Sequence, residues 1–210
     1  MSAAAWCARS DPRKAPRAAA GGAARAATRA LTSGDGRARA YIALGSNLDD
    51  PIAQVRRGAA LLAALPTTHW EAGSSLYRTA PVGRADQPDF INAVCRLSTA
   101  LAPEALMRAL LDIEAARGRR RGEPGGPRTL DLDLLLYFPA NSTVSVTREA
   151  PGLTLPHPRL HERAFVLYPL AEIAPDAAIP GRGRVADLLA GCAGQRIERL
   201  ASGLTSGEQD

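Results

Sequence analysis

Pro127-Arg128-Thr129-Leu130-Asp131-Leu132-Asp133-Leu134-Leu135-Leu136-Tyr137 carries two chemistries on one short apolar segment. Residues Leu130 to Tyr137 read as a β-strand, because leucines alternate with aspartates and turn formers precede the run. Side chains alternate faces along a strand, so Asp131 and Asp133 share one side, about 7 Å apart at Cα. Leu130, Leu132, Leu134 and Leu136 are then expected on the other side, in the core. Two carboxylates that close repel unless a positive group lies between them. Oxygen ligation of one or two Mg²⁺ ions shared with a phosphate meets that need. One Asp facing solvent while the other pairs with an Arg meets it equally well.

Outward from this strand, Arg119 to Pro127 (RRRGEPGGP) is a basic Gly/Pro-rich loop. Together with Arg117 and Arg128 it sets five arginines beside the two aspartates, a combination suited to a polyphosphate. Such a loop suits a lid that closes over phosphates, although a solvated charge run reads the same way. Before the loop, Pro103 opens a helix whose Leu106, Leu110 and Ile113 recur at helical spacing, with Gly118 as its stop. Phe90 to Leu97 (FINAVCRL) predicts a strand, Thr79 to Pro88 a loop, and Trp70 to Arg78 another strand. Asp49 and Asp50 before Pro51 supply N-cap chemistry for a helix carrying Ile52, Val55, Ala59 and Leu62. Ala40 to Gly45 predicts the first strand, stopped by Gly45-Ser46-Asn47. The order β-α-β-β-α-β is the ferredoxin-like pattern, an α+β fold with an antiparallel sheet and helices packed on one face. Past Tyr137, a proline-punctuated region spans Leu155 to Phe165. Short helices are expected near Val166–Ile173 and Val185–Leu189.

The 210 residues are 46% hydrophobic and 22% charged, with a formal charge of +5. That excess sits in residues 1–40, where eight Lys or Arg face two acids; the rest of the chain has eighteen Arg and nineteen acids. Residues 1–38 are Ala, Arg and Gly with little apolar periodicity, and are expected to be disordered. The ordered domain is expected over 39–202, with a tail at 203–210. The leader lacks the apolar core of a secretory signal, and its Arg-rich, acid-poor composition fits either an organellar transit peptide or a functionless extension. A cytoplasmic location is expected. No run approaches the roughly 20 apolar residues of a membrane span. Three widely spaced cysteines fit a reducing compartment.

The one lysine, Lys14, lies in the leader, which excludes a Walker-type kinase. No Cys/His spacing fits zinc, and no Ser-His-Asp motif stands out. His157 is held between Pro156 and Pro158. Phe90 and Phe165 are two of three phenylalanines; each reads as core, or as one half of a sandwich for a flat heterocycle. A nucleic-acid module using the leader and the Arg loop is a competing reading, as is another Mg²⁺-dependent transferase using the same aspartates.

Five segments, in order, resemble the 6-hydroxymethyl-7,8-dihydropterin pyrophosphokinase family: Tyr41–Leu48 (YIALGSNL), Ser75–Pro81 (SLYRTAP), Asp86–Ala93 (DQPDFINA), Gly126–Asp133 (GPRTLDLD) and Leu155–Phe165 (LPHPRLHERAF). The resemblance spans about residues 40–200. It implies transfer of pyrophosphate from ATP to the hydroxymethyl group of a reduced pterin, giving AMP and the pterin diphosphate in folate biosynthesis. It further implies that Asp131 and Asp133 hold two Mg²⁺ ions, and that Arg119 and Arg128 neutralise charge at the transferring group. Glu114, Arg121, His157 and Arg163 would serve ATP. Phe90 and Phe165 would clamp the pterin, with Asn92 and the backbone near Thr79 and Val82 reading its polar edge. The implied partners are small molecules alone, with no nucleic acid and no membrane. A monomer is expected, with a dihydropteroate synthase as a candidate associate. Three places depart from the family pattern: Glu123-Pro124-Gly125 stands where many members carry Arg-Trp, Phe90 stands where Tyr is frequent, and Pro158 follows His157, so no aromatic neighbour is available there.

Overall fold

The computed structural model describes residues 36–83, 86–118 and 126–207. The leader up to residue 35 and most of the Arg loop, including Arg119 and Arg121, lie outside the described residues.

Strand β1 (Ala38–Ser46) is buried on both faces and sits between β4 (Phe90–Thr99) and β5 (Asp131–Phe138), antiparallel to each. Helix α1 (Pro51–Ala63) leaves β1 through Asp50, whose carboxylate accepts from the Ala53 N–H, with Pro51 as first residue. The chain returns as β2 (Thr68–Gly73) and β3 (Ser75–Thr79). The single strand expected over Trp70–Arg78 is thus two, both pairing with β4 and divided at Ser74. There the Ser74 hydroxyl takes the Val94 N–H in place of a backbone carbonyl. Helix α2 (Pro103–Ala116) then joins β4 to β5. The core is thus β-α-β-β-β-α-β, the β-α-β-β-α-β order foreseen with its second strand split in two.

The strand order is β3-β4-β1-β5, with β2 also on β4 and one further strand outside β3. Strand β10 (Ile197–Gly203) extends the sheet beyond β3, and no sequence signal announced it. Gly73 makes this closure possible: a Cβ there would stand 2.2 Å from the Leu204 carbonyl oxygen. The buried Leu204 side chain completes the core just past β10. Between β5 and β10 run the hairpin β6 (Arg148–Ala150) and β7 (Leu153–Leu155), helix α3 (Ala164–Ile173), the small pair β8 (Ala178–Ile179) and β9 (Gly183–Arg184), and the single-turn α4 (Val185–Leu188).

Two apolar clusters sandwich the sheet. Ile42, Leu44, Cys95, Leu97, Leu132 and Leu134 meet α1 (Val55, Leu62) and α2 (Leu106, Leu110) on one face. Tyr41, Val94, Leu136 and Phe138 meet α3 (Val166, Leu167, Leu170) on the other. Helices therefore cover both faces, not one: α1 and α2 stand as expected, and α3 seals the reverse side. Leu136 also faces opposite to its expected side. The β1–β5 register slips between Tyr41 and Ile42, so Leu135 is an extra residue in β5. A bulge of this kind reverses the face of every later side chain.

Candidate active site

Asp131 and Asp133 open β5, opposite Gly45 and Ala43 of β1. Gly45 pairs in turn with Asn92 of β4, and Asn92 with Tyr77 of β3. A row of functional positions thus crosses the sheet on the α3 side: Asp131, Gly45, Asn92. A Cβ on Gly45 would lie 3.1 Å from Asn92 Oδ1 and 3.9 Å from Asp131 Cβ, so the bare backbone keeps this row open. Asn92 Nδ2 donates to Thr79 Oγ1 at 2.8 Å. Phe90 starts β4 directly opposite Thr79.

The two aspartates are electrostatically unequal. Burial, and next the negative charge of Asp131, raise the Asp133 carboxyl above the usual carboxylate range; His157, Arg163 and Arg128 pull against this. Arg128 Nη1 pairs with Asp131 Oδ2. His157 Nε2 stands 4.0 Å from Asp133 Oδ2, beyond a hydrogen bond. Its Nδ1 accepts the Arg159 N–H, and the His157 backbone N–H donates to the carbonyl of the bulged Leu135. The bulge therefore docks the Pro-His-Pro segment beside the aspartates. Burial lowers the His157 pKa, with Asp133 opposing, which favours the neutral imidazole.

Glu114, expected at the nucleotide, lies 3% exposed at the end of α2. Its Oε1 accepts the Leu132 N–H at 2.7 Å, between the two aspartates. Since β5 is an edge strand, this bond supplies a partner that no neighbouring strand can.

A cavity of about 340 Å³ gathers Thr79, Val82, Arg163 and Phe165 from the expected set, together with Arg159, Glu162, Gln195 and Arg196. The Arg163 guanidinium lies over the Phe165 ring, 5.4 Å from its centroid. Asn92 stands behind Thr79 through its hydrogen bond. Phe90 does not line this cavity.

Asn47 escaped the sequence reading, where it served only as a turn residue. It is 2% exposed. Its Oδ1 accepts the Arg128 N–H, its N–H donates to the Arg128 carbonyl, and its Nδ2 donates to Gln87 Oε1 and the Pro88 carbonyl. One amide thereby fixes both the arm of Arg128 and the approach to Phe90. A Gly-Ser-Asn turn at the end of the apolar run Tyr41–Leu44 was the available signal.

The donor set fits a divalent cation. Two hard carboxylate oxygen donors, one destabilised as an anion by burial and by the charge of the other, are suited to an ion that takes its remaining ligands from phosphate and water. Among the described residues no cluster of three or more His, Cys, Asp or Glu is arranged to hold a metal.

The model of the family described as 7,8-dihydro-6-hydroxymethylpterin-pyrophosphokinase (HPPK) matches residues 41–175. The 2-amino-4-hydroxy-6-hydroxymethyldihydropteridine pyrophosphokinase of Pseudomonas aeruginosa is 46% identical over 162 residues, covering 77% of this chain and 96% of that one. Its Haemophilus influenzae counterpart is 41% identical over 161 residues, covering 77% and 97%. Among solved structures, wild-type Plasmodium falciparum HPPK-DHPS with STZ-DHP superposes with a TM-score of 0.54 at 13% identity, over 73% of this chain and 41% of that one. An HPPK-DHPS in complex with substrates gives 0.55 at 13% identity, over 73% and 43%. The chain spans less than half of those longer proteins, and at such identity the likeness speaks for the fold alone. The family match and the near full-length relatives agree: the chain belongs to the 7,8-dihydro-6-hydroxymethylpterin-pyrophosphokinase family.

Proposed function

We propose that this pyrophosphokinase moves the terminal pyrophosphoryl group of ATP onto the hydroxymethyl oxygen of 6-hydroxymethyl-7,8-dihydropterin, releasing AMP and the pterin diphosphate. The observation that carries the reading is the single sheet face that Asp131 and Asp133 share with Asn92, where Asp131 lies in the same cross-strand row as Asn92 and Asn92 is bonded to the Thr79 wall of the cavity. Acceptor and metal sites of a group transfer belong side by side, and here one strand register sets their spacing.

The acceptor oxygen attacks the β-phosphorus, the bridge from that phosphorus to the α-phosphate oxygen breaks, and the electron pair leaves on AMP. The hydroxymethyl proton departs to solvent. Asp131 and Asp133 would hold Mg²⁺, two ions in our reading, which when bound offsets triphosphate charge and orients it. Arg128 leaves Asp131 to face the transferring group, while Asn47 keeps its backbone in place. Arg119 and Arg121 join this set on the sequence pattern alone. His157 and Arg163 serve ATP as a neutral donor and a cation. Glu114 acts on the nucleotide through the strand that it braces. Phe165 stacks on the pterin, Thr79, Val82 and Asn92 read its edge, and Phe90 closes the opposite side.

We place the enzyme in the cytoplasm as a monomer acting on small molecules. No helix among the described residues is long and apolar enough to cross a membrane. Swapping acceptors while following AMP, ADP and pyrophosphate tests the reading. AMP release that depends on the reduced hydroxymethylpterin supports it. ADP release, or AMP release indifferent to the acceptor, overturns it.

A further inference from the structure

We propose that Gln195 is a positioning residue for the pterin cavity, acting from beyond the matched segment 41–175 by pinning the start of α3. The inference rests on the pterin reading of the cavity given above. Helix α3 begins at Ala164, follows Arg163, and has no side-chain cap of its own. Gln195, 31 residues further along the chain, supplies one. Its Oε1 accepts the Ala164 N–H at 2.9 Å, and its Nε2 donates to the Glu162 carbonyl at 2.7 Å. These two bonds bracket Arg163 and end one residue before Phe165, the pair whose side chains stack in the cavity wall.

The first turn of α3 has particular need of such a brace. Pro169 lies inside the helix and has no N–H for the Phe165 carbonyl, so that turn lacks one of its own bonds. Gln195 is in turn anchored: its N–H donates to the Cys192 carbonyl at 3.0 Å, and Cys192 is buried in the core beneath α3. The core therefore fixes Gln195, Gln195 fixes residues 162–164, and these aim Arg163 and Phe165. Because Gln195 also lines the cavity, the brace and the pocket wall are one residue.

Steady-state kinetics of the full chain with ATP and the reduced hydroxymethylpterin test this. Gln195→Ala is expected to raise the pterin KM about fivefold, the scale of losing one helix cap, with a smaller rise in the ATP KM through Arg163 and kcat within about twofold. Gln195→Glu keeps the acceptor for the Ala164 N–H but loses the donor to the Glu162 carbonyl, and is expected to give a pterin KM between those of the alanine variant and the wild type. If the alanine variant does not fold, Gln195→Met, which keeps the side-chain length and removes both bonds, carries the same expectation. An unchanged pterin KM overturns the inference, as does an ATP KM that rises at least as much as the pterin KM, or a glutamate variant as impaired as alanine. A wild-type chain without pterin turnover overturns the functional reading and this inference with it. Normal wild-type turnover with an unmoved pterin KM overturns this inference alone.

Discussion

Removing the Glu114 carboxylate should loosen the strand that carries both aspartates, and the size of the effect follows from its geometry. The side chain is 3% exposed and its oxygen lies 2.7 Å from the Leu132 nitrogen, on a strand that among the described residues pairs with β1 alone. A hydrogen bond to a charged group contributes about 1.5–3 kcal/mol, and a buried N–H left without a partner costs about 1–3 kcal/mol. These overlap, since the second is largely the reason for the first. Glu114→Ala should therefore cost about 2–4 kcal/mol, including the small cavity left at the end of α2. Against the 5–15 kcal/mol typical of a domain, that is a large fraction. Glu114→Gln retains an acceptor and should cost about 1 kcal/mol. Urea unfolding followed by circular dichroism measures both. With a slope of about 2 kcal/mol per molar, the alanine midpoint should fall by about 1–2 M at unchanged slope. Turnover should fall along with stability in the alanine variant and be largely kept in the glutamine one. An alanine variant within about 0.5 kcal/mol of wild type would refute the strand-brace argument, because surface substitutions alone reach that figure.

Asp133→Ala should lower kcat by two or more orders of magnitude, about 3 kcal/mol of barrier, while thermal unfolding moves by only a few degrees; near-normal turnover would remove Asp133 from the metal site. Phe165→Ala should raise the pterin KM more than the ATP KM, and the reverse order would make its ring core alone. Burial works against ionisation of Glu172, but the Ser75 N–H and hydroxyl, Tyr77 and Arg199 outweigh it and hold the carboxyl below its ordinary value. A depressed acid stabilises the fold above its unfolded pKa of about 4.3, and that contribution fades as pH falls through the lower folded value. Unfolding free energies measured from pH 6 to pH 3 should therefore show a shallower acid decline for Glu172→Gln than for wild type; parallel curves would contradict the network.

The central β-α-β-β-α-β unit was legible because each element carries its own local signal. Leu132 and Leu134 alternate with the aspartates, and Asp50 with Pro51 marks a helix start. The C-terminal third was less legible for physical reasons. The sequence of α3, AFVLYPLAEI, is apolar on nearly every side, so no periodicity says which sheet face it covers. Strand β10 (IERLASG) is largely exposed and lies at a sheet edge, where the apolar alternation that marks a strand weakens. The Leu135 bulge leaves no compositional trace, yet it turns Leu136 over and frees the carbonyl that docks His157. In the site, the aspartates and the Thr79–Phe165 wall could be read from motifs. Asn47, Glu114 and Gln195 act through partners 18 to 81 residues away, which only the folded chain reveals.

The most direct test is ³¹P NMR of a complete reaction with ATP, Mg²⁺ and 6-hydroxymethyl-7,8-dihydropterin. The account predicts AMP and a pterin diphosphate appearing in equal amounts, with no ADP above the background of an Asp133→Ala control. ADP together with a pterin monophosphate would contradict it.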